Sequence, residues 1–271
     1  MTIKAFQREI GKYYRAHGRH DMLWRHGRNP YRVFVSEVML QQTQVSRVTE
    51  RYPSFIRRFP DFYALANASP REVLKEWQGM GYNRRALNLR RAAGIVIRDY
   101  GGRLPRTPEE LEGLPGIGKA TAGSIAAFAW NRRTPFIETN IRRVFIHFFF
   151  PRKKKVRDDE LLALVAESVP RKDAREWFYA LMDYGTMLAA REKKNPNARS
   201  AHYRPQPKFA GSRRELRGKI LAYMLAGKRG TPVSLARLFE RKEAEIGQVL
   251  EALVREGFLV RTGKSGFRAA S

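Results

Sequence analysis

Cysteine is absent from the 271 residues. That excludes disulfides, thiolate nucleophiles, iron–sulfur clusters and cysteine-based zinc sites. Long apolar runs are missing as well. The most apolar stretch, Val144-Phe-Ile-His-Phe-Phe-Phe150, falls far short of the ~20 residues that a membrane helix requires. Met1 to Ile10 carries charges where a secretory signal needs an apolar run. Acidic residues are scarce: 26 Asp+Glu face 53 Lys+Arg, for a formal net charge of +27. An excess of that size argues against a neutral metabolic enzyme and for an anionic polymer or a membrane surface as partner, with a generally basic surface as the plainer reading. The expectation is a chain of the cytoplasm, at the nucleoid, with no membrane partner.

Apolar residues make up 43% of the chain, enough for a real core. Their spacing is helical, and alternating strand patterns are almost confined to the last ~20 residues. Pro30 opens a predicted helix running to Val45. Ser69-Pro-Arg-Glu72 is a capped helix start leading to Trp77, broken by Gly79-Met-Gly81. Further helices are expected from Asn83 to Tyr100, from Thr107, and over most of 157–192. Lys193 to Gly211, with Pro205 and Pro207, is polar and proline-punctuated, a linker or an extended arm. Beyond it, helices over Leu216–Leu225, Val233–Glu240 and Glu243–Glu256 precede a predicted hairpin from Phe258 to Phe267. That order fits a winged helix or a plain helical cap. The predicted domains are therefore 1–192, 193–211 and 212–271.

Three motifs bear chemistry. In Leu114-Pro-Gly-Ile-Gly118, Gly116 and Gly118 allow a tight turn that exposes amide N–H groups at a helix start, with Lys119 adding a point charge. Such a turn suits a DNA phosphate, or simply joins two helices. Glu37 has apolar neighbours on both sides along its helix. Desolvation would raise its pKa and make it a general acid, unless it lies on a polar face paired with an arginine. Glu138 stands at an apolar junction in Phe136-Ile-Glu-Thr-Asn140, where a carboxylate can stabilise a developing cation or be one more surface acid. Asn140 is placed to cap the helix that begins near Ile141. His17, His20 and His26 form a loose cluster without a carboxylate partner, a poor zinc site. Arg152-Lys-Lys-Lys155 reads as a solvated loop that attracts phosphate.

Leu23-Trp-Arg25, Pro30 to Val45 with its Ser-Glu-Val-Met-Leu-Gln-Gln-Thr block, and Trp77-Gln-Gly-Met-Gly-Tyr82 closely resemble the MutY-type adenine DNA glycosylases. The order of these blocks before Leu114-Pro-Gly-Ile-Gly118 and Phe136-Ile-Glu-Thr-Asn140 is also that family's, and the resemblance covers roughly residues 5 to 190. It implies an all-α helix-hairpin-helix fold of two subdomains, into whose cleft a flipped base is drawn, with the winged-helix-like unit behind it. It implies a monofunctional enzyme acting as a monomer on double-stranded DNA that contains a mispaired or damaged base.

By the same resemblance Glu37 is the general acid, Glu138 falls where the family has an Asp that stabilises the sugar cation, and Asn140 matches the Asn beside it. Gln42 and Tyr82 match residues that wedge into the duplex, and Arg25 and Asp183 match positions lining the base pocket. Backbone carbonyls of Leu114 and Ile117 would hold a Na or K ion, and no other cofactor is required.

Departures from the family pattern are equally specific. Glu138 adds a methylene to the family's Asp. Ala120 stands where bifunctional relatives carry a Schiff-base lysine, so no intrinsic β-lyase step is expected. The four-cysteine cluster that would begin near Ala189 has no ligands here, and the 195–211 arm is expected to do its work of holding the domain and touching DNA. The family's C-terminal Nudix-like domain, which recognises 8-oxoguanine, is replaced by about 60 residues that read as a winged helix. The alternatives kept open are removal of uracil or thymine mispaired with guanine, removal of another modified base, and an inactive damaged-DNA-binding protein.

Overall fold

The computed structural model describes residues 1–205, 208–263 and 265–270. In chain order the helices are α1 (Ile3–His17), α2 (Pro30–Leu40), α3 (Val45–Arg58), α4 (Phe62–Asn67), α5 (Pro70–Glu76), α6 (Arg84–Tyr100) and α7 (Pro108–Glu112). There follow α8 (Lys119–Trp130), α9 (Thr139–Phe149), α10 (Asp158–Ser168), α11 (Ala174–Arg191), α12 (Arg213–Leu225), α13 (Pro232–Phe239) and α14 (Glu243–Arg255). Strands β1 (Leu259–Thr262) and β2 (Gly266–Ala269) pair antiparallel, Leu259 opposite Ala269. The architecture is all-α with one small hairpin, as the spacing predicts.

Two compact units make up the chain. The first comprises Met1–Val38 and Leu104–Pro205, the second Met39–Arg103 and Gln206–Ser271. Within the first, α11 packs on α9 and α1, and Phe6 of α1 anchors the core. Its ring meets Phe145, Phe148, Phe149 and Trp177 edge-on at 5.1–5.7 Å. Helix α8 is almost wholly submerged, and its small residues let it pass close to others: a Cβ on Gly123 would lie 2.8 Å from that of Phe136.

In the second unit, α4 and α5 pack on α6, and Trp77 is fully buried beside Phe55. The Ser69–Glu72 capping box forms as expected, and a second forms between Thr107 and Glu110 in the first unit. Helices α12–α14 and the hairpin assemble as a winged helix, with α13 on α14, α12 on β2 and α14 on β1. Helix α12 also packs on α5, so the winged helix shares a compact unit with residues 39–103.

Three local expectations need correction. The helix predicted from Pro30 to Val45 ends at Leu40, because Gln42 takes a left-handed φ of 52° that no α-helix accommodates. Asn140 does not cap α9. Glu138 does, one residue before a helix that starts at Thr139. The stretch 193–205 is no linker between domains but is bonded into the first unit, in keeping with an arm that holds the domain. Pro196–Arg199 forms a 3₁₀ turn, the Val156 N–H donates to the Arg199 carbonyl (2.8 Å), and the Ala201 N–H donates to that of Val156 (2.9 Å). Asn197 is buried there and its Nδ2 donates to the Thr139 carbonyl at 3.0 Å. Gln206 and Pro207 of the predicted linker, Lys264 of the hairpin turn and Ser271 lie outside the described residues.

Because Phe6 contacts four aromatic rings from α9 and α11, Phe6→Ala should destabilise the protein by about 3–5 kcal/mol, as for other buried phenylalanines. Urea unfolding monitored by circular dichroism checks it. A loss below about 1 kcal/mol would mean that α1 is not held by this cluster.

Candidate active site

Helix α2 begins at Pro30, and the Asn29 side-chain oxygen accepts the Arg32 N–H at 3.1 Å. Val33, Phe34, Val35, Ser36, Val38 and Met39 are all buried, so the helix is enclosed nearly all round and Glu37 is carried in with it. Its carboxyl retains some accessible surface but is closely surrounded by protein. Burial pushes its pKa up from 4.5 to about 7. The Ser124 hydroxyl opposes that shift through a hydrogen bond, the charge of Glu138 adds to it, and Arg25 works against it. A neutral carboxylic acid at pH 7 can donate a proton.

Arg25 follows the buried Trp24 and forms a bidentate pair with Asp183 of α11, Nη1–Oδ2 2.9 Å and Nη2–Oδ1 2.8 Å. Its guanidinium stacks 4.3 Å from the ring centre of Tyr179. Asp183 also accepts from the Arg19 main chain (2.8 Å) and the Arg19 Nε (2.7 Å). Burial works to raise the Asp183 pKa, but these cations hold it below its ordinary value. With both oxygens engaged, Asp183 orients Arg25. The tyrosine hydroxyl of Tyr179 is pushed well up by burial and then by the charge of Glu37.

Glu138 caps α9. Its Oε1 accepts the main-chain N–H groups of Asn140 and Ile141, both at 2.7 Å, and its Oε2 accepts Asn140 Nδ2 at 3.2 Å. The carboxylate curls over the helix N-terminus, where the dipole and free N–H groups favour an anion. Burial still outweighs these donors and holds its pKa above the ordinary value. Arg143, buried one turn on, donates from Nη1 to Asn140 Oδ1 (2.7 Å) and to the Gly185 carbonyl (2.8 Å). Arginine has no acceptor, so the amide oxygen of Asn140 faces it and the NH₂ faces Glu138.

The helix-hairpin-helix turn lies in the same unit. Leu114 and Ile117 are buried and pin the loop, leaving Gly116, Gly118 and Lys119 exposed. Gly116 has φ 83°, which favours glycine, and Gly118 is the N-cap of α8. The Ile117 N–H donates to the Leu114 carbonyl at 3.1 Å. His20 and His26 spend their Nε2 atoms on the carbonyls of Tyr14 and His20.

Gln42 and Tyr82 belong to the second unit, and both have left-handed backbones, at φ 52° and 46°. For side chains with a Cβ such conformations are strained, and strain of this kind gathers at functional loops. Arg85 joins the two loops. It donates to the carbonyls of Met39 (3.0 Å), Met80 (3.2 Å) and Gly81 (3.2 Å) and to Thr43 Oγ1 (2.8 Å), with the Tyr82 ring 5.6 Å away. Burial lowers its pKa to about 10.

The expected site residues Glu37, Glu138, Asn140, Arg25 and Asp183 all lie in the first unit, and sequence reasoning missed Ser124, Tyr179, Arg143, Arg19 and Arg85. A lone serine in the apolar α8 and an arginine before Val144 were the only available signals, since buried polar groups need partners.

Residues 35–170 match the HhH-GPD superfamily of base excision DNA repair proteins. The adenine DNA glycosylase of Mycolicibacterium smegmatis is 34% identical over 275 residues, covering 94% of this chain and 92% of that protein. The adenine DNA glycosylase of Buchnera aphidicola subsp. Baizongia pistaciae is 36% identical over 197 residues, covering 72% of this chain and 56% of that longer relative. The solved structure of a thermostable thymine-DNA glycosylase superposes with a TM-score of 0.64 at 28% identity, over 71% of this chain and 90% of its own. With no cysteine to ligate it, a four-cysteine iron–sulfur cluster cannot form here. The chain belongs to the HhH-GPD superfamily of base excision DNA repair proteins and, within it, to the MutY-type adenine DNA glycosylases.

Proposed function

We infer that this chain removes adenine from mispairs in double-stranded DNA by hydrolysing its N-glycosidic bond. The observation that carries this reading is an enclosed Glu37 whose pKa burial raises to about 7, with Glu138 near enough for its charge to add to the shift and held by main-chain donors in the same unit. Glu37 gives its proton to the purine ring, and the C1′–N bond breaks with its electron pair leaving on the base. Glu138 stabilises the oxocarbenium ion at C1′ electrostatically. Water then adds to C1′, and its proton passes to the vacated Glu37 carboxylate. Arg25 and Tyr179 border the base, and Asn140 steadies Glu138. Ala120 offers no amine for a Schiff base, which supports hydrolysis without a β-lyase step.

Gly116, Gly118 and Lys119 grip a backbone phosphate, and Gln42 and Tyr82 wedge into the duplex. The Leu114 and Ile117 carbonyls are oxygen donors suited to a hard Na or K ion, which would add positive charge beside that phosphate. A net charge of +27 supports DNA as the partner. No helix among the described residues is long and apolar enough to cross a membrane. We assign the protein to the nucleoid in the cytoplasm, acting as a monomer. The Mycolicibacterium relative, covered over 92% of its length, supports adenine as the base.

Single-turnover excision on adenine opposite guanine and opposite 8-oxoguanine, with uracil or thymine opposite guanine as alternatives, tests the substrate. Cleavage of the pyrimidine duplexes alone would overturn it. Glu37→Gln should slow adenine excision by about 10²–10⁴-fold and leave duplex affinity intact. Because the acid must hold its proton, the wild-type rate should fall about tenfold per pH unit above pH 7. A flat profile up to pH 9 would remove Glu37 from the proton-donating role.

The raised Glu37 pKa also predicts a stability cost. Below about pH 4.5 the group is protonated folded and unfolded alike, so it contributes nothing. Between pH 4.5 and 7 the unfolded chain ionises while the folded acid keeps its proton, so the fold loses stability across that window, by up to about 3 kcal/mol in full above pH 7. Glu37→Gln should therefore match the wild type at pH 4 and exceed it at pH 8.5 in urea unfolding. Equal stabilities at both values would show that the carboxyl is not buried at this cost.

A further inference from the structure

Adenine is a normal base, so an enzyme that removes it must take its instruction from the base opposite. The winged helix is the part of the chain to which the proposed reaction gives no task. Such units ordinarily read DNA by laying the second helix of the helix-turn-helix, here α14, in the major groove with its first turn at the base edges. That first turn carries Glu243 and Glu245, which phosphates repel, and Glu251 is committed to Arg261 of β1 at 2.7 Å. Major-groove reading by α14 is disfavoured by its own charges.

The beginning of α12 has the opposite character. It opens with Arg213 and Arg214, and Arg214 Nη1 donates to the Tyr82 hydroxyl at 3.3 Å. Tyr82 is 42% exposed at the tip of its strained loop, and the exposed ring of Phe209 lies 5.9 Å from the Arg214 guanidinium. The winged helix is also fixed to the neighbours of this loop. Glu256, closing α14, accepts from Arg217 of α12 at 3.1 Å and from Arg84, two residues after Tyr82, at 3.3 Å. A shift of the winged helix would move Arg214 relative to Tyr82.

We propose that the winged helix places Arg214 at the tip of Tyr82 to read the guanine-class base left unpaired when adenine leaves the helix. This rests on the reading of the chain as an adenine glycosylase with Tyr82 as a wedge. A planar guanidinium fork matches the O6 and N7 acceptors of guanine, 8-oxoguanine keeps the O6 acceptor but carries a hydrogen on N7, and cytosine offers an amino donor at the equivalent edge and is refused. Phe209 and Tyr82 supply flat surfaces beside it, suited to an unstacked base.

The test compares single-turnover excision of adenine opposite guanine, 8-oxoguanine and cytosine by the full chain and by Arg214→Gln, Arg214→Lys and Tyr82→Phe. The wild type should favour guanine over cytosine by about tenfold or more. In Arg214→Gln that ratio should collapse toward one by loss of the guanine rate, with the cytosine rate unchanged. Arg214→Lys keeps a charge for phosphate but has no fork, and should not restore the ratio. Tyr82→Phe, which keeps the ring and loses the anchoring hydroxyl, should lower it partway. An equal fall on all three duplexes, or full restoration by lysine, would make Arg214 a phosphate contact and overturn the proposal. An unchanged ratio in Arg214→Gln would overturn it too. Absence of adenine excision by the wild type would instead overturn the proposed activity, a result separable from either.

Discussion

A carboxyl group carried into the protein on a helix with no polar side to spare is the constraint from which the rest of the candidate site follows. Helix α2 is buried around Glu37, so the side chain is largely enclosed by protein, and the nearby Arg25 is paired with Asp183 instead. The chain keeps it as an acid. Ser124 gives it one hydrogen bond, and Arg25 is near enough to favour ionisation without pairing with it, because Asp183 has claimed the guanidinium. Were Arg25 free to pair with Glu37, the proton would be lost at neutral pH and with it the capacity to protonate a leaving base.

In the proposed reaction Glu138 poses the complementary problem, since a carboxylate that is to stabilise a cation must be anionic while enclosed. Helix α9 answers it with its own N-terminus: two main-chain N–H groups and the Asn140 amide surround the charge. The side chain folds back as the cap of its own helix. The backbone of this region is clasped in turn by residues 193–205. The Asn197 amide holds the Thr139 carbonyl, and Arg199 Nη2 donates to that of Ile146 at 3.3 Å. Hydrogen bonds and a short parallel bridge secure this segment in a chain without cysteine.

The second unit solves a mechanical problem. Two non-glycine residues, Gln42 and Tyr82, hold left-handed backbones, which costs on the order of 1–3 kcal/mol each unless the surroundings enforce them. Arg85 enforces them by binding carbonyls on both loops at once, and the winged helix adds a further hold on the Tyr82 hydroxyl. A buried arginine spent on carbonyl oxygens rather than on an acid shows that geometry, not charge pairing, is what this region needs.

Apolar spacing, capping boxes and glycine turns made most helices and the hairpin legible, because these signals act within a few residues of one another. The Ser-Glu-Val-Met-Leu-Gln-Gln-Thr block and the glycine hairpin identified the family, and the lack of cysteine by itself removed the metal cluster. The end of α2 was not legible, since Gln42 adopts its left-handed turn under the hold of distant Arg85. Nor was the cap of α9, where glutamate is an uncommon choice and Asn140 looked the better candidate. The polar 193–205 stretch read as a linker because its partners, Val156 and Thr139, lie far away in sequence. Which charges pair, which carboxyl keeps its proton and which helices share a unit depend on contacts between remote segments and on burial, and only the tertiary structure decides those.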